Sequence, residues 1–115
     1  MGSLFHVPLA RAHDAAPVLR ALRDAGLVVV AATGDCDTEL GAGTDALLAR
    51  PTAWLFGGEA HGIPDAVARA ADHRVRIPIR GRAESLNLAA AAAICLYAST
   101  RAHAAAPPGP DAPDR

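Results

Sequence analysis

The chain contains no lysine, a single asparagine, one tryptophan, one tyrosine, two phenylalanines and two cysteines. Each scarcity excludes something. A P-loop places a lysine after its glycines to reach a phosphate, so the glycine loops of this chain are not P-loops. With 3% aromatic residues there is too little to build a base-stacking platform for single-stranded nucleic acid. The cysteines, Cys36 and Cys95, stand far apart in no CxxC or Cys/His arrangement. No zinc or other metal site is therefore expected, and both thiols read as buried or half-buried groups in a reducing cytosol. The longest apolar run, Leu88–Ala98, falls well short of the ~20 residues a membrane span needs. No basic start followed by an apolar run marks a signal peptide, so a cytoplasmic location is expected. Charge of either sign is also in short supply. Eleven arginines oppose twelve acids, for a net charge of −1 and a pI near 6.5. Nucleic-acid binding by bulk charge alone is thereby excluded.

What is present is 115 residues, 51% hydrophobic, including 29 alanines. That is enough for one domain with a real core. Ser3–Leu9 is apolar, and Pro8 blocks a helix through it, so it reads as an extended stretch or edge strand. Asp14 is placed as an N-cap before a helix over 15–25, in which Val18, Leu19, Leu22 and Ala25 recur at helical spacing and Gly26 follows as a C-cap. Leu27–Ala32 is a β-branched run, apolar on both faces, which predicts a central strand of a parallel sheet. Residues 35–44 read as a loop and Asp45–Ala49 as one or two helical turns. Thr52–Phe56 reads as a second buried strand, 65–71 as a short helix and Arg74–Ile77 as a third strand. A long alanine-rich helix over about 87–101 and a proline-rich disordered tail from His103 complete the chain, giving domain bounds of 1–102 and 103–115. Alternation of this kind predicts an α/β fold, a parallel sheet flanked by helices. Ligands of such sheets bind at the carboxyl ends of the strands.

Three segments leave that edge: Thr33-Gly34, Gly57–Gly62 and Pro78–Asn87. The second carries glycines at 57, 58 and 62 around Glu59. Glycines let a backbone approach a ligand closely, although a tight strand-to-helix turn accounts for them equally well. The third ends in Ser85-Leu86-Asn87 at the start of the long helix. Ser85 is an ordinary N-cap, whereas Asn87 is a mediocre helix former in a place where an amide and the helix dipole can hold a polar ligand.

Leu55-Phe56-Gly57-Gly58-Glu59-Ala60-His61-Gly62-Ile63 resembles the second conserved motif of the SpoU (TrmH-like) RNA ribose methyltransferases. Ile77 to Ala89, containing Ile77-Pro78, a glycine loop and Ser85-Leu86-Asn87, resembles their third, and the likeness extends over about residues 2–101. The resemblance implies a SPOUT-class α/β domain with a deep trefoil knot near its C-terminus, a homodimer, S-adenosylmethionine as cofactor and methyl transfer to a ribose 2′-hydroxyl of ribosomal or transfer RNA. It implies that Gly57, Ile77 and Leu86 contact the cofactor, with Thr33, Gly34, Gly58 and Pro78 nearby. It places Glu59, Ser85 and Asn87 at the reaction centre. A poorly nucleophilic hydroxyl needs a base and close alignment, which such a set supplies.

The family's first motif, which carries an asparagine and an arginine, precedes the strand that Ser3–Leu9 resembles and has no counterpart in the chain. The expectation is therefore a domain lacking its N-terminal part: a fragment, a cofactor-binding or dimerising remnant without turnover, or a site completed by another subunit or arginine. Arg69, Arg74, Arg76, Arg80 and Arg82 cluster with Asp72 as the one acid among them. They read either as a phosphate-contacting patch or as a solvated strand and loop, with Arg80 and Arg82, inside the third motif, the better candidates for RNA. The histidines show no ligand spacing, and Trp54 reads as core.

Overall fold

The computed structural model describes residues 8–34, 38–58, 62–78 and 88–105. Three parallel strands form the sheet: β1 (Val28–Ala32), β2 (Thr52–Leu55) and β3 (His73–Val75), in the order β2-β1-β3. The register sets Val28 beside Thr52 and Ala31 beside Leu55 on one side, and Val30 beside His73 and Ala32 beside Val75 on the other. The centre goes to the strand with the continuous apolar run, because only that run has no polar side chain to expose on either face. Val29 and Val30 are both fully buried, on opposite faces of the sheet. Each contributes about 1.5–3 kcal/mol of burial.

Helix α1 (Ala15–Asp24) covers one face together with α3 (Asp65–Ala70). Leu19, Val29, Ala31 and Ala71 form the core there, with Leu22, Leu55, Ile63 and Val67 packed against it. The other face holds Val28, Val30 and Val75 beneath Leu40, Leu47 and Trp54, behind α2 (Asp45–Leu48) and α4 (Leu88–Ala105). α4 buries the stripe Cys95, Ser99 and Ala102, an i, i+4, i+7 spacing that aligns one face of a helix. Trp54 lies in this core as expected. Its Nε1–H donates to the Ser99 hydroxyl at 2.9 Å, and its ring lies nearly parallel to Phe56 at a centroid distance of 6.2 Å.

Several local readings need adjustment. Asp14 stands at the N-cap of α1, but its carboxylate makes no capping hydrogen bond. Val18 and Ala25 stay exposed, so α1 is anchored by Leu19 and Leu22 alone. The C-terminus of α1 behaves as its glycine predicts. Gly26 adopts φ +90°, its N–H donates to Arg23 O at 2.9 Å and the Leu27 N–H donates to Leu22 O at 3.0 Å, the paired bonds of a Schellman motif. The loop expected over 35–44 contains a 3-10 turn at Ala42–Thr44, held by the Thr44 hydroxyl donating to Gly41 O at 2.8 Å. β3 begins at His73 and ends at Val75, one residue earlier than expected at its start and two at its end. α4 runs to Ala105, so the first residues assigned to the tail are helical. The reason is tertiary: His103 Nε2 lies 3.0 Å from Arg50 O and ties the last turn to the body. Of the strand expected over Ser3–Leu9, residues 3–7 lie outside the described set, and Pro8 and Leu9 belong to no regular element.

Candidate functional site

Because the strands are parallel and in register, their carboxyl ends deliver three chain segments to one edge. Thr33 follows β1, and its N–H donates to Val75 O at 2.9 Å, tying the exit of β1 to that of β3. Gly34 comes next, exposed and with open space where a Cβ would sit. Gly57 and Gly58 follow β2. Gly58 pairs with Gly62 in an antiparallel bridge, closed by the Gly62 N–H donating to Gly58 O at 2.8 Å, and Gly62 takes φ +66°. A Cβ on Gly57 would fall 2.0 Å from the Gly62 carbonyl carbon and 2.2 Å from Ile63 N. No rotamer relieves a clash with backbone, so Gly57 is required by the turn itself. Ile77, half-buried, and Pro78, exposed, follow β3. Six of the sequence-derived candidates (Thr33, Gly34, Gly57, Gly58, Ile77 and Pro78) thus share the carboxyl edge. Glu59, Arg80, Arg82, Ser85, Leu86 and Asn87 lie outside the described residues.

One element of this edge escapes sequence reasoning. Thr38–Leu40 lies along the outer side of β3: the Arg76 N–H donates to Thr38 O at 2.8 Å, and the Leu40 N–H donates to Arg76 O at 2.7 Å. A parallel bridge joins Glu39 to Arg76, and their side chains form an ion pair at 2.7 Å. A glutamate and an arginine 37 residues apart carry no signal in a single sequence.

The arginine cluster divides accordingly. Arg76 is neutralised by Glu39, and Arg74 donates to the carbonyls of Ala68 and Ala71 at 3.2 and 3.4 Å. For these two the structural reading of the cluster holds. The guanidinium of Arg69 has no ion-pair partner among the described residues. Cys95 is buried in α4, and burial pushes its thiol up to about 11, which makes it an inert packing group. Cys36 lies outside the described residues.

The amino ends of the strands are built differently. Asp72, just before β3, accepts the Val29 N–H at 2.8 Å on one carboxylate oxygen and Arg23 Nε at 3.2 Å on the other. The Val29 N–H is the main reason its carboxyl titrates below the ordinary value; partial burial opposes this, and Arg23 and then His73 add to it. The Asp72 N–H in turn donates to Val29 O at 2.8 Å. In the sequence Asp72 stands out only as a lone acid among arginines. Nothing in its spacing reveals that it closes the sheet.

Residues 1–97 match the family model described as the SpoU rRNA Methylase family. The 23S rRNA (guanosine-2′-O-)-methyltransferase RlmB of Nitrosomonas europaea is 36% identical over 102 residues, which cover 89% of this chain and 38% of that protein. An uncharacterised tRNA/rRNA methyltransferase of Archaeoglobus fulgidus is 38% identical over 100 residues, covering 87% and 43%. Among solved structures, the SpoU methyltransferase AviRb from Streptomyces viridochromogenes, in complex with AdoMet, superposes with a TM-score of 0.77 at 34% identity, over 91% of this chain and 42% of that one. The chain therefore spans about two fifths of the length of these relatives.

Proposed function

The chain belongs to the SpoU rRNA methylase family, and we propose that it serves RNA 2′-O-ribose methylation, with S-adenosylmethionine as methyl donor and ribosomal or transfer RNA as acceptor. The observation that carries this reading is the convergence of the Thr33-Gly34, Gly57-Gly58 and Ile77-Pro78 segments at one strand edge, in a chain 34% identical to an AdoMet-bound methyltransferase. The residues fit that cofactor. Open space at Gly34 and Gly58 leaves backbone accessible to a ligand, and Ile77 and Pro78 add apolar surface beside it. Peptide groups and apolar surface are what an adenine ring and an amino-acid carboxylate and amine require.

In this reading Thr33, Gly34, Gly57, Gly58, Ile77, Pro78 and Leu86 hold the cofactor, which supplies an electrophilic methyl group. Glu59, Ser85 and Asn87 align and polarise the ribose hydroxyl, and Arg80 and Arg82 contact phosphates. The ion pair of Glu39 and Arg76 holds the exit of β3 in place. A trefoil knot near the C-terminus of the domain and a cytoplasmic location belong to the same reading. So does a homodimer, favoured by the exposed Ile94, Leu96 and Tyr97 of α4.

The test is transfer of labelled methyl from S-adenosylmethionine to unmodified ribosomal and transfer RNA. Label in a ribose 2′-O-methyl nucleoside, lost in Asn87→Ala of a full-length version, is the expected result. Label on a base, or activity retained in Asn87→Ala, contradicts the assignment.

A further inference from the structure

A cleft lies at the opposite end of the sheet. It is an open cleft of about 440 Å³, lined by Arg23, Gly26, Arg50, Asp72 and His73, within the ~300–1,000 Å³ usual for small-ligand sites. β1 and β2, of five and four residues rising ~3.3 Å each, put it about 15 Å from the carboxyl edge, so it is not part of the site described above.

Its chemistry is lopsided. Two guanidinium groups and an imidazole face a single carboxylate. Both oxygens of that carboxylate are already engaged, one by the Val29 N–H and one by Arg23 Nε. Asp72 therefore orients Arg23 and neutralises one charge, while Arg50 makes no ion pair among the described residues. The main chain at Arg50, though not its side chain, is held from several directions. Its carbonyl accepts the Thr52 hydroxyl at 2.8 Å and lies 3.0 Å from His103 Nε2. The next carbonyl, of Pro51, accepts the Val28 N–H at 2.9 Å. Gly26 contributes no side chain, and its positive φ bars most replacements, which keeps that wall of the cleft open. An exposed guanidinium without an ion-pair partner among the described residues, beside one oriented by a carboxylate, is an arrangement that can recognise tetrahedral oxyanions.

We propose that this cleft is a phosphate-binding site, formed by Arg50, Arg23 and His73. The ligand is a phosphate group, whether of an RNA backbone or of a free phosphorylated molecule. The assignment stands on the cleft alone and does not depend on methyl transfer.

The test is a titration of the intact chain with inorganic phosphate, followed by NMR at the His73 ring and the amides of Gly26 and Val28. Saturating shifts at these groups are expected, with the apparent Kd weakened about fivefold in Arg50→Ala and unchanged in Arg11→Ala, a remote exposed arginine. Signals that do not move, or an Arg50→Ala titration that matches the parent, overturn the proposal. A short ribo-oligonucleotide forms the second arm. If it moves the same signals the source is RNA, and if phosphate alone moves them the source is a small molecule. Both results support the site.

Discussion

At the amino ends of the three strands a carboxylate, a Schellman turn and a proline carbonyl take up backbone donors. Asp72 and Pro51 accept the N–H groups of Val29 and Val28, and Leu22 O accepts that of Leu27. At the carboxyl ends of β1 and β2 glycines stand instead, and among the described glycines Gly57 is the one fixed by close backbone packing. One end is closed by a carboxylate and two backbone carbonyls that take up the N–H groups of Leu27, Val28 and Val29. The other keeps its peptide groups near open space. The difference separates stability from chemistry along a single set of strands. Substitutions at the amino end should cost stability and spare cofactor binding, whereas those at the carboxyl end should affect the cofactor.

Gly57→Ala should be the most damaging change. Its Cβ would overlap the Gly62 and Ile63 backbone, so the turn must rearrange, at about 3 kcal/mol. Thermal unfolding together with calorimetry should show a lowered Tm and loss of S-adenosylmethionine binding. Normal binding in this variant would show that the turn is not part of the cofactor site.

Asp72→Ala comes next, at about 1–1.5 kcal/mol, because it strands the Val29 N–H; the estimate allows for a side chain that is one-third exposed. It should leave cofactor affinity unchanged. Its pH dependence has a definite sign. The folded-state pKa lies below the ordinary 3.8, so the carboxylate stabilises the fold above that value and its contribution fades as pH falls through the lowered pKa. Denaturant melts should therefore separate parent and variant fully above about pH 5 and bring them together in strong acid.

Ser99→Ala, which removes the acceptor of Trp54 Nε1, should cost about 1 kcal/mol. It should also alter the emission of the single tryptophan. Glu39→Gln should be the mildest, at about 0.5 kcal/mol or less, since its ion pair with Arg76 is largely exposed. That difference should shrink further as salt is raised.

The fold was legible where one residue type has one physical use. A β-branched run with no polar face could only be a central strand, and Gly26 could only end α1 with a positive φ. Gly57 was legible for a related reason, since backbone packed against it excludes any Cβ, and Gly62 for its positive φ. What escaped was every pairing set by tertiary approach. Asp72 with Val29, Glu39 with Arg76, Trp54 with Ser99 and His103 with Arg50 each join residues tens of positions apart, and spacing carries no trace of such contacts. The same blindness placed the end of α4 too early, because its last turn is held by Arg50 O rather than by helix propensity. At the candidate site, the glycine turn after β2 was readable from its residue types. The shared edge followed from parallel strands, but the clamp formed by residues 38–40 did not.

If the carboxyl edge of this sheet holds S-adenosylmethionine, as proposed, calorimetric titration of the chain with S-adenosylmethionine or S-adenosylhomocysteine reads it without any RNA. Saturable binding at one site per chain is expected, retained in Asp72→Ala and lost in Gly57→Ala. No heat of binding from a folded chain at millimolar ligand would contradict it.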